Sequence, residues 1–167
     1  LLCFTDTGRV FKRKVFEIPE GSRTSKGRSV VNLVDLKADE RCVAYLPIAE
    51  FEKGEDFLTF ATAQGKVKRS SLKLYQNVNK SGLIAINLND GDELVGVACT
   101  SGHDHLLLAA ASGMAIRFEE GDARAMGRNS AGVKGIDLAG TDRVVGLVKI
   151  QMRDGDDPTS NVREGVD

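Results

Sequence analysis

The chain has 167 residues, with 23 Lys and Arg against 24 Asp and Glu, and its formal net charge is −1. Its hydrophobic content of 41% is near the globular norm and excludes wholesale disorder. No apolar run approaches the roughly 18 residues of a membrane-spanning helix, which excludes a membrane protein. Cys3, Cys42 and Cys99 are scattered, which favours neither a disulfide framework nor a zinc site. We expect buried thiols in a reducing cytosol.

The chain opens on a short apolar run, residues 1–4, that lacks the basic start and small-residue cleavage site of a signal peptide. We interpret this run as a strand cut near its start. The sequence is therefore expected to be a piece of a larger protein.

A repeat of about 50 residues organises the chain. Each of three segments has a first glycine, then a second glycine 19, 17 or 19 residues later, and then an Asn-Leu or Asp-Leu pair at a fixed step of five residues. The first glycines are Gly8, Gly65 and Gly113, and the second are Gly27, Gly82 and Gly132. The strings that start at Asp39, Asp92 and Asp142 align as the last strand of each unit.

The local patterns in each unit predict strands. Residues 57–62 and 66–68 flank a Gly turn, and residues 106–111 and 114–118 repeat that hairpin signal. Residues 83–88 and 94–99 flank a second turn. No sustained 3.6-residue stripe predicts a helix, and we expect the first glycine of each unit to supply a positive φ.

These patterns predict an all-β fold, a β-propeller-like arc of about three four-stranded blades. The predicted blades are residues 1–56, which are truncated at their start, 57–104 and 105–150. Residues 151–167 read as an acidic loop or tail. Because a closed propeller usually has four to eight blades, three blades predict an open arc.

Basic residues concentrate between the first and second glycine of every unit, whereas most acidic residues lie elsewhere. Equivalent positions of a repeat array fall on one face or rim, so we expect one curved positive stripe. The candidate DNA-binding residues of these three windows are Arg9, Lys12, Arg13, Lys14, Arg23, Lys26, Arg28, Lys66, Lys68, Arg69, Lys73, Lys80, Arg117, Arg124, Arg128 and Lys134.

A curved basic stripe with few aromatic residues suits the phosphate backbone of duplex DNA, which it would bind without reading sequence. Single-strand binding is less favoured because stacking needs exposed aromatic side chains. A duplex that follows a convex rim must bend.

Catalytic and metal-binding patterns are absent from the sequence. His103 and His105 lack a third ligand at a recognisable spacing. Residues 90–93 read as a turn because they lack a calcium-loop pattern. No phosphate-binding glycine loop and no nucleophile elbow occurs, so we expect no catalytic residue, metal or cofactor in this piece.

Three strings, GRVFKRKVFEIPEGSRTSKGRSVVNL, GLIAINLNDGDELVGV and RAMGRNSAGVKGIDL, closely resemble the C-terminal domain of the DNA gyrase A subunit. The resemblance spans residues 1–148 or so. It implies a six-bladed β-pinwheel whose basic rim wraps duplex DNA and gives the enzyme its directional negative supercoiling.

The resemblance also implies a bacterial, cytoplasmic, chromosome-associated type II topoisomerase. Its partners would be double-stranded DNA, the remaining blades, the N-terminal part of the gyrase A subunit, which holds the breakage-reunion tyrosine, and the gyrase B subunit, where ATP is hydrolysed with Mg²⁺. The family's glutamine-arginine-glycine-rich box is absent, and residues 22–28 resemble it only in part.

Four alternatives stay open on the sequence. The nearest is the C-terminal domain of the topoisomerase IV A subunit. A protein-interaction propeller of the WD or kelch type is disfavoured because those families have their own blade signatures, such as a Trp-Asp pair, and the chain has no Trp. A β-rich enzyme domain lacks a catalytic cluster, and a purely structural fragment would leave the basic windows without a role.

Overall fold

The computed structural model describes residues 1–52 and 56–151, and this part of the chain is built from strands and short 3-10 turns without an α-helix. The strands are β1 (Leu2–Thr5), β2 (Arg9–Lys12), β3 (Cys42–Leu46), β4 (Phe57–Thr62), β5 (Lys66–Ser71), β6 (Leu83–Ile84), β7 (Leu94–Thr100), β8 (His105–Ala110), β9 (Ala115–Glu119), β10 (Val133–Lys134) and β11 (Val144–Ile150). The 3-10 helices are Val15–Glu17, Val30–Asn32, Leu72–Tyr75 and Glu120–Asp122. The predicted tail from residue 152 onward lies outside the described residues.

Three antiparallel sheets follow one another along the chain. Their strand orders are β3-β1-β2-β6, β10-β5-β4-β7 and β11-β8-β9. The sheets form an open arc, which confirms the predicted all-β, propeller-like architecture, but among the described residues the third sheet has three strands and not the predicted four. Among the described residues no helix is long and apolar enough to cross a membrane.

Each of the last two units gives a short strand to the sheet before it. β6 lies in the second unit of the chain but pairs with β2 of the first, and β10 of the third unit pairs with β5 of the second. The sheets therefore do not coincide with the predicted ranges 1–56, 57–104 and 105–150, which delimit the repeat along the chain. This exchange ties neighbouring units together through backbone hydrogen bonds.

The hairpin glycines adopt the predicted left-handed conformation. Gly8, Gly65 and Gly113 have φ values of +79°, +80° and +89°. At Gly8 a Cβ atom would also lie 2.7 Å from the Ile86 carbonyl oxygen of the next unit. Glycine is thus required there both for the turn and for the close approach of the exchanged strand.

The strand register corrects one part of the repeat alignment. Thr5, Thr62 and Ala110 pair with Cys42, Leu94 and Val144, each beside a β-bulge. The acidic residues two positions earlier are therefore equivalent, and the first of them is Glu40, not Asp39. The sequence could not reveal this one-residue error in the alignment, because the first unit has an acidic side chain at both position 39 and position 40.

The main core lies between the first and second sheets. The Phe4 ring packs edge-on against Phe60 with centroids 5.6 Å apart, and Tyr75 stacks at a tilt on Phe60 at 5.9 Å. All three side chains are buried. A second cluster, which includes Val67 and Leu108, joins the second and third sheets in the same way. Burial of these side chains between successive sheets holds the arc together.

Candidate nucleic-acid interface

The structure divides the cations of the three basic windows by exposure. The exposed residues are Lys14, Arg23, Lys26, Arg28, Lys73, Lys80, Arg117, Arg124 and Lys134. Six are half-buried, namely Arg9, Lys12, Arg13, Lys66, Arg69 and Arg128. Lys68 alone among the sixteen is fully buried. The basic windows therefore do not form a uniform charged surface, because their cations differ in exposure and in the groups that they contact.

Lys68 was predicted to contact DNA, and its burial makes that prediction wrong. Its ammonium Nζ donates to the Ala85 carbonyl oxygen at 2.7 Å and to the carbonyl oxygen of Arg128. It also lies 5.3 Å from the centroid of the Phe60 ring. Burial, and secondarily the positive charge of Arg128, lower the pKa of Lys68 to about 7. A side chain enclosed in this way fastens strand β5 to two loops and cannot reach a phosphate.

Arg9 and Arg69 are engaged by buried carboxylates. Arg9 Nη1 lies 2.7 Å from Glu40 Oε2, and Arg69 Nη1 lies 3.5 Å from Glu120 Oε2. The two arginine side chains are only 16% and 13% exposed, and each guanidinium also covers an aromatic ring. Their charge is largely neutralised within the fold, so the expectation that they present free charge to DNA is corrected.

Three further half-buried cations donate hydrogen bonds to backbone carbonyl oxygens. Lys12 Nζ donates to the Gln76 oxygen at 2.8 Å, and Arg128 Nη1 donates to the Ile84 oxygen at 2.7 Å. Arg13 donates through Nε to Leu33 of its own unit and through Nη2 to Lys80 at 3.4 Å. The contacts of Lys12 and Arg128, and that between Arg13 and Lys80, cross from one unit to its neighbour. Part of the basic content of the windows thus fixes the relative placement of successive units.

Successive windows nevertheless meet at the unit junctions. A cleft of about 340 Å³ between the first two units is lined by Lys12, Arg13 and Lys14 on one side and by Lys80 on the other. At the second junction Lys66 lies opposite Lys134 across the β5–β10 pair. Lys134 is also paired with Asp137. Cations of successive units therefore face each other at both junctions, but only at the first junction are exposed cations of both units, Lys14 and Lys80, brought together.

Neither candidate metal motif is assembled into a site. Among residues 1–52 and 56–151 no group of three His, Cys, Asp or Glu side chains is placed to hold a metal ion. Asp92, in the predicted turn, accepts hydrogen bonds from the amides of Gln64 and Glu93 at 2.8 and 2.9 Å. Asp92 therefore stabilises the hairpin turn.

The three cysteines are free thiols, of which only Cys3 is fully buried. Burial raises the pKa of Cys3 to about 11 and raises the pKa values of the Cys42 and Cys99 thiols as well. A raised pKa disfavours the reactive thiolate. These thiols act as small packing residues.

Glu40 is an important residue that the sequence did not single out. Its carboxylate accepts hydrogen bonds from the hydroxyls of Thr5 and Thr7 at 2.7 and 2.5 Å, from Arg9, and from the Lys37 amide at 2.8 Å. Burial alone would raise the pKa of Glu40, but these hydrogen bonds and the Arg9 charge outweigh it and lower that pKa. In the sequence, the only indication of a buried acidic partner was the Thr-x-Thr turn followed by Arg9.

Replacing Glu40 by Gln is expected to destabilise the chain by about 1–3 kcal/mol at pH 7, because the Arg9 charge and one hydroxyl lose their partner. Because the pKa of Glu40 is lower in the folded chain than its ordinary value of 4.5, the ionised carboxylate stabilises the fold at pH values above 4.5. This stabilisation is lost as the pH falls below 4.5 and the carboxylate takes up a proton. The loss of stability caused by Glu40→Gln should therefore be smaller at acidic pH than at pH 7. Urea unfolding at pH 7 and near pH 3 measures it, with Asp39→Asn as the exposed neighbouring control. An equal deficit at both pH values would contradict this role.

Comparison with known proteins identifies the family. A family model described as "DNA gyrase C-terminal domain, beta-propeller" matches residues 1–49, 56–101 and 104–151. The DNA gyrase A subunit of Salmonella typhimurium is 49% identical over 148 residues, which are 89% of this chain and 17% of that protein. The corresponding protein of Staphylococcus epidermidis is 47% identical over 147 residues, covering 88% and 16%. The chain thus spans about a sixth of the length of these relatives.

Solved structures agree with this assignment. The C-terminal domain of DNA topoisomerase IV superposes with a TM-score of 0.82 at 32% identity, covering 92% of this chain and 47% of that one. A DNA gyrase A C-terminal domain superposes with a TM-score of 0.72 at 22% identity, covering 89% and 46%, which supports the fold alone. The stacked sheets, the repeat and the matched residues lead to one conclusion: the chain belongs to the DNA gyrase C-terminal domain family.

Proposed function

We propose that this chain is a non-catalytic module that binds and wraps duplex DNA, within the A subunit of a bacterial DNA gyrase. The observation that carries the proposal is the meeting of two basic windows at the first unit junction, where the exposed Lys14 and Lys80 line one cleft. The two curated relatives described above are DNA gyrase A subunits at 49% and 47% identity, whereas the topoisomerase IV domain is 32% identical, which favours gyrase over topoisomerase IV.

Binding of this kind needs no base contacts. Lysine and arginine side chains displace the counterions condensed on DNA, and the released counterions supply affinity that is independent of sequence. A duplex that follows several units of a curved array must bend, and the bending energy of a few kcal/mol is offset by the added phosphate contacts. The module would thereby hold a bent segment of DNA beside the rest of the enzyme.

Strand passage itself would occur outside this chain. Within the proposal, ATP-dependent negative supercoiling belongs to the assembled enzyme, in which the partners of this module are the gyrase B subunit, with its ATP and Mg²⁺, and the rest of the A subunit. We infer that the module needs no cofactor of its own. We also place it in the bacterial cytoplasm, on the chromosome.

Salt dependence tests the proposal directly. Fluorescence anisotropy with a labelled duplex is expected to give affinities that fall steeply between about 50 and 200 mM salt, because log K decreases in proportion to the number of neutralised phosphates. Two duplexes of unrelated sequence should bind alike. Affinity that ignores salt, or that needs one sequence, would overturn the proposal.

A further inference from the structure

One phenylalanine of the chain is not packed in the core. All seven phenylalanines lie in the described residues, and Phe16 alone among them is exposed. It is 81% exposed, although burial of such a ring would stabilise the fold. This large apolar surface is therefore free to contact a partner.

A closed turn holds Phe16 in this outward position. The 3-10 helix that carries it is fixed by a hydrogen bond from the Glu17 amide to the Lys14 oxygen and by one from the Ile18 amide to the Val15 oxygen, both at 3.0 Å. The Glu17 carboxylate also accepts a hydrogen bond from the Lys14 amide at 3.2 Å. Since the turn is already ordered, a partner that contacts the ring has little backbone to immobilise.

The position of Phe16 in the repeat faces away from neighbouring units. Phe16 lies eight residues after Gly8, and the residues at the same distance from the hairpin glycines of the other units are Lys73 and Gly121. Both are exposed, and Lys73 is so in a unit that has a described unit on each side. The first unit therefore places an aromatic ring at an outward position where the second unit has a cation of its basic window.

The surroundings of the ring are cationic. Lys14 Nζ lies 5.6 Å from the centroid of the Phe16 ring. Lys14 and Glu17, which flank the exposed turn, both line the cleft between the first two units, and the exposed Lys80 lines its other side. An apolar ring at the edge of a cationic cleft suits a partner that presents negative charge and apolar surface side by side.

We propose that Phe16 packs against a deoxyribose of duplex DNA, next to a phosphate bound by Lys14, a contact that rests on the function proposed above. The DNA backbone alternates anionic phosphates with sugars whose carbon atoms are apolar, and contacts to it carry no sequence information. Because each phosphate adjoins two sugars, a phosphate on Lys14 brings a sugar within reach of the ring. Burial of the ring adds a part of the affinity that does not come from counterion release.

Salt titrations separate the ring from the cations. Phe16→Ala is expected to lower the affinity for duplex DNA by about fivefold at every salt concentration, because part of the ring is no longer buried on binding. The slope of log K against log salt should stay the same, since the same phosphates are neutralised. Fluorescence anisotropy measures both quantities, and circular dichroism should show the variant folded because the ring is exposed.

Two further variants and one modified duplex sharpen the test. Phe16→Lys, which copies Lys73, should lose the apolar contact but gain a phosphate contact, so its salt slope should become steeper by about 1. Val145→Ala is the control, because Val145 is apolar, 52% exposed and outside the basic windows, and this variant should bind like the unmodified chain. A duplex with deoxyuridine in place of thymidine lacks only the thymine methyl groups. The unmodified chain should bind it as tightly as the ordinary duplex, since the ring contacts sugars.

The outcomes distinguish the sugar contact from DNA binding as such. If Phe16→Ala bound as tightly as the unmodified chain, or changed only the salt slope, the sugar contact would be wrong and the proposed function would stand. Weaker binding of the unmodified chain to the deoxyuridine duplex, without such a difference for Phe16→Ala, would place the ring on thymine bases and would also overturn the sugar contact. An unmodified chain without salt-dependent binding to duplex DNA would overturn both proposals.

Discussion

Replacing Arg23, Lys73 and Arg124 by glutamate should lower the affinity for duplex DNA by about 100-fold or more at 0.1 M salt. The three residues lie one in each basic window, and all are exposed. Each lost phosphate contact removes close to one released counterion, so the slope of log K against log salt should become shallower by about 3. Anisotropy titrations at several salt concentrations measure both quantities.

A matched triple variant separates position from overall charge. Lys37, Arg143 and Lys149 are also exposed but lie outside the three windows, and their replacement by glutamate changes the net charge by the same amount. This control should retain most of the affinity and nearly the original salt slope. Equal losses in the two variants would mean that binding follows net charge alone, and the predicted windows would then have no special role.

The repeat and its hairpins were predictable because they depend on short-range rules. A left-handed position such as Gly65 favours glycine, and alternating apolar residues on either side of it indicate a hairpin. The sheet that strand Leu83–Ile84 joins could not be predicted in the same way. Local periodicity indicates that a segment is a strand, but it does not say whether the strand joins its own sheet or the preceding one.

The candidate site was predictable only as a region. Lys66 and Lys68 alternate with Val67, a pattern that predicts two outward cations, yet Lys68 is buried because loops of two units cover that face of β5. Glu120 accepts hydrogen bonds from the amides of Gly102 and Asp104, and its contact with Arg69 depends on tertiary distance. Which cations a carboxylate neutralises is therefore settled by packing between elements that lie far apart in sequence.

The contacts between units show that some basic residues of the windows have a structural role. Arg128 is held at Ile84, and its own carbonyl oxygen is held by Lys68, so an exposed loop of the third unit is fixed against the second. The buried Lys68 and the half-buried Arg128 thus fix the spacing between the second and third units, and this spacing determines where the exposed cations of the two units lie relative to each other. The contribution of Lys68 and Arg128 to DNA binding is expected to be indirect.

The fold should gain stability relative to Lys68→Met as the pH rises from 7 to 9. The pKa of Lys68 is about 7 in the folded chain against 10.5 ordinarily, so as the pH rises above 7 the folded chain loses this proton while the unfolded chain keeps it. Stability rises with pH wherever the unfolded state binds more protons, by about 1.4 kcal/mol per pH unit at most. The stability difference between the two proteins should therefore shift by roughly 2–3 kcal/mol in favour of Lys68, as measured by urea unfolding at each pH.

Tyr75→Phe is the control for this pH dependence, because the Tyr75 hydroxyl donates to the same Ala85 oxygen at 3.1 Å. Burial raises the pKa of Tyr75 to about 12, so the hydroxyl keeps its proton throughout the measured range. Loss of this hydrogen bond should lower the free energy of unfolding by about 1 kcal/mol, and the reduction should be the same at every pH in this range. If Lys68→Met behaved like Tyr75→Phe, with a constant offset between pH 7 and 9, Lys68 would have to stay protonated in the folded chain. Its ammonium would then be stabilised by the two carbonyl oxygens and the Phe60 ring strongly enough to cancel the effect of burial.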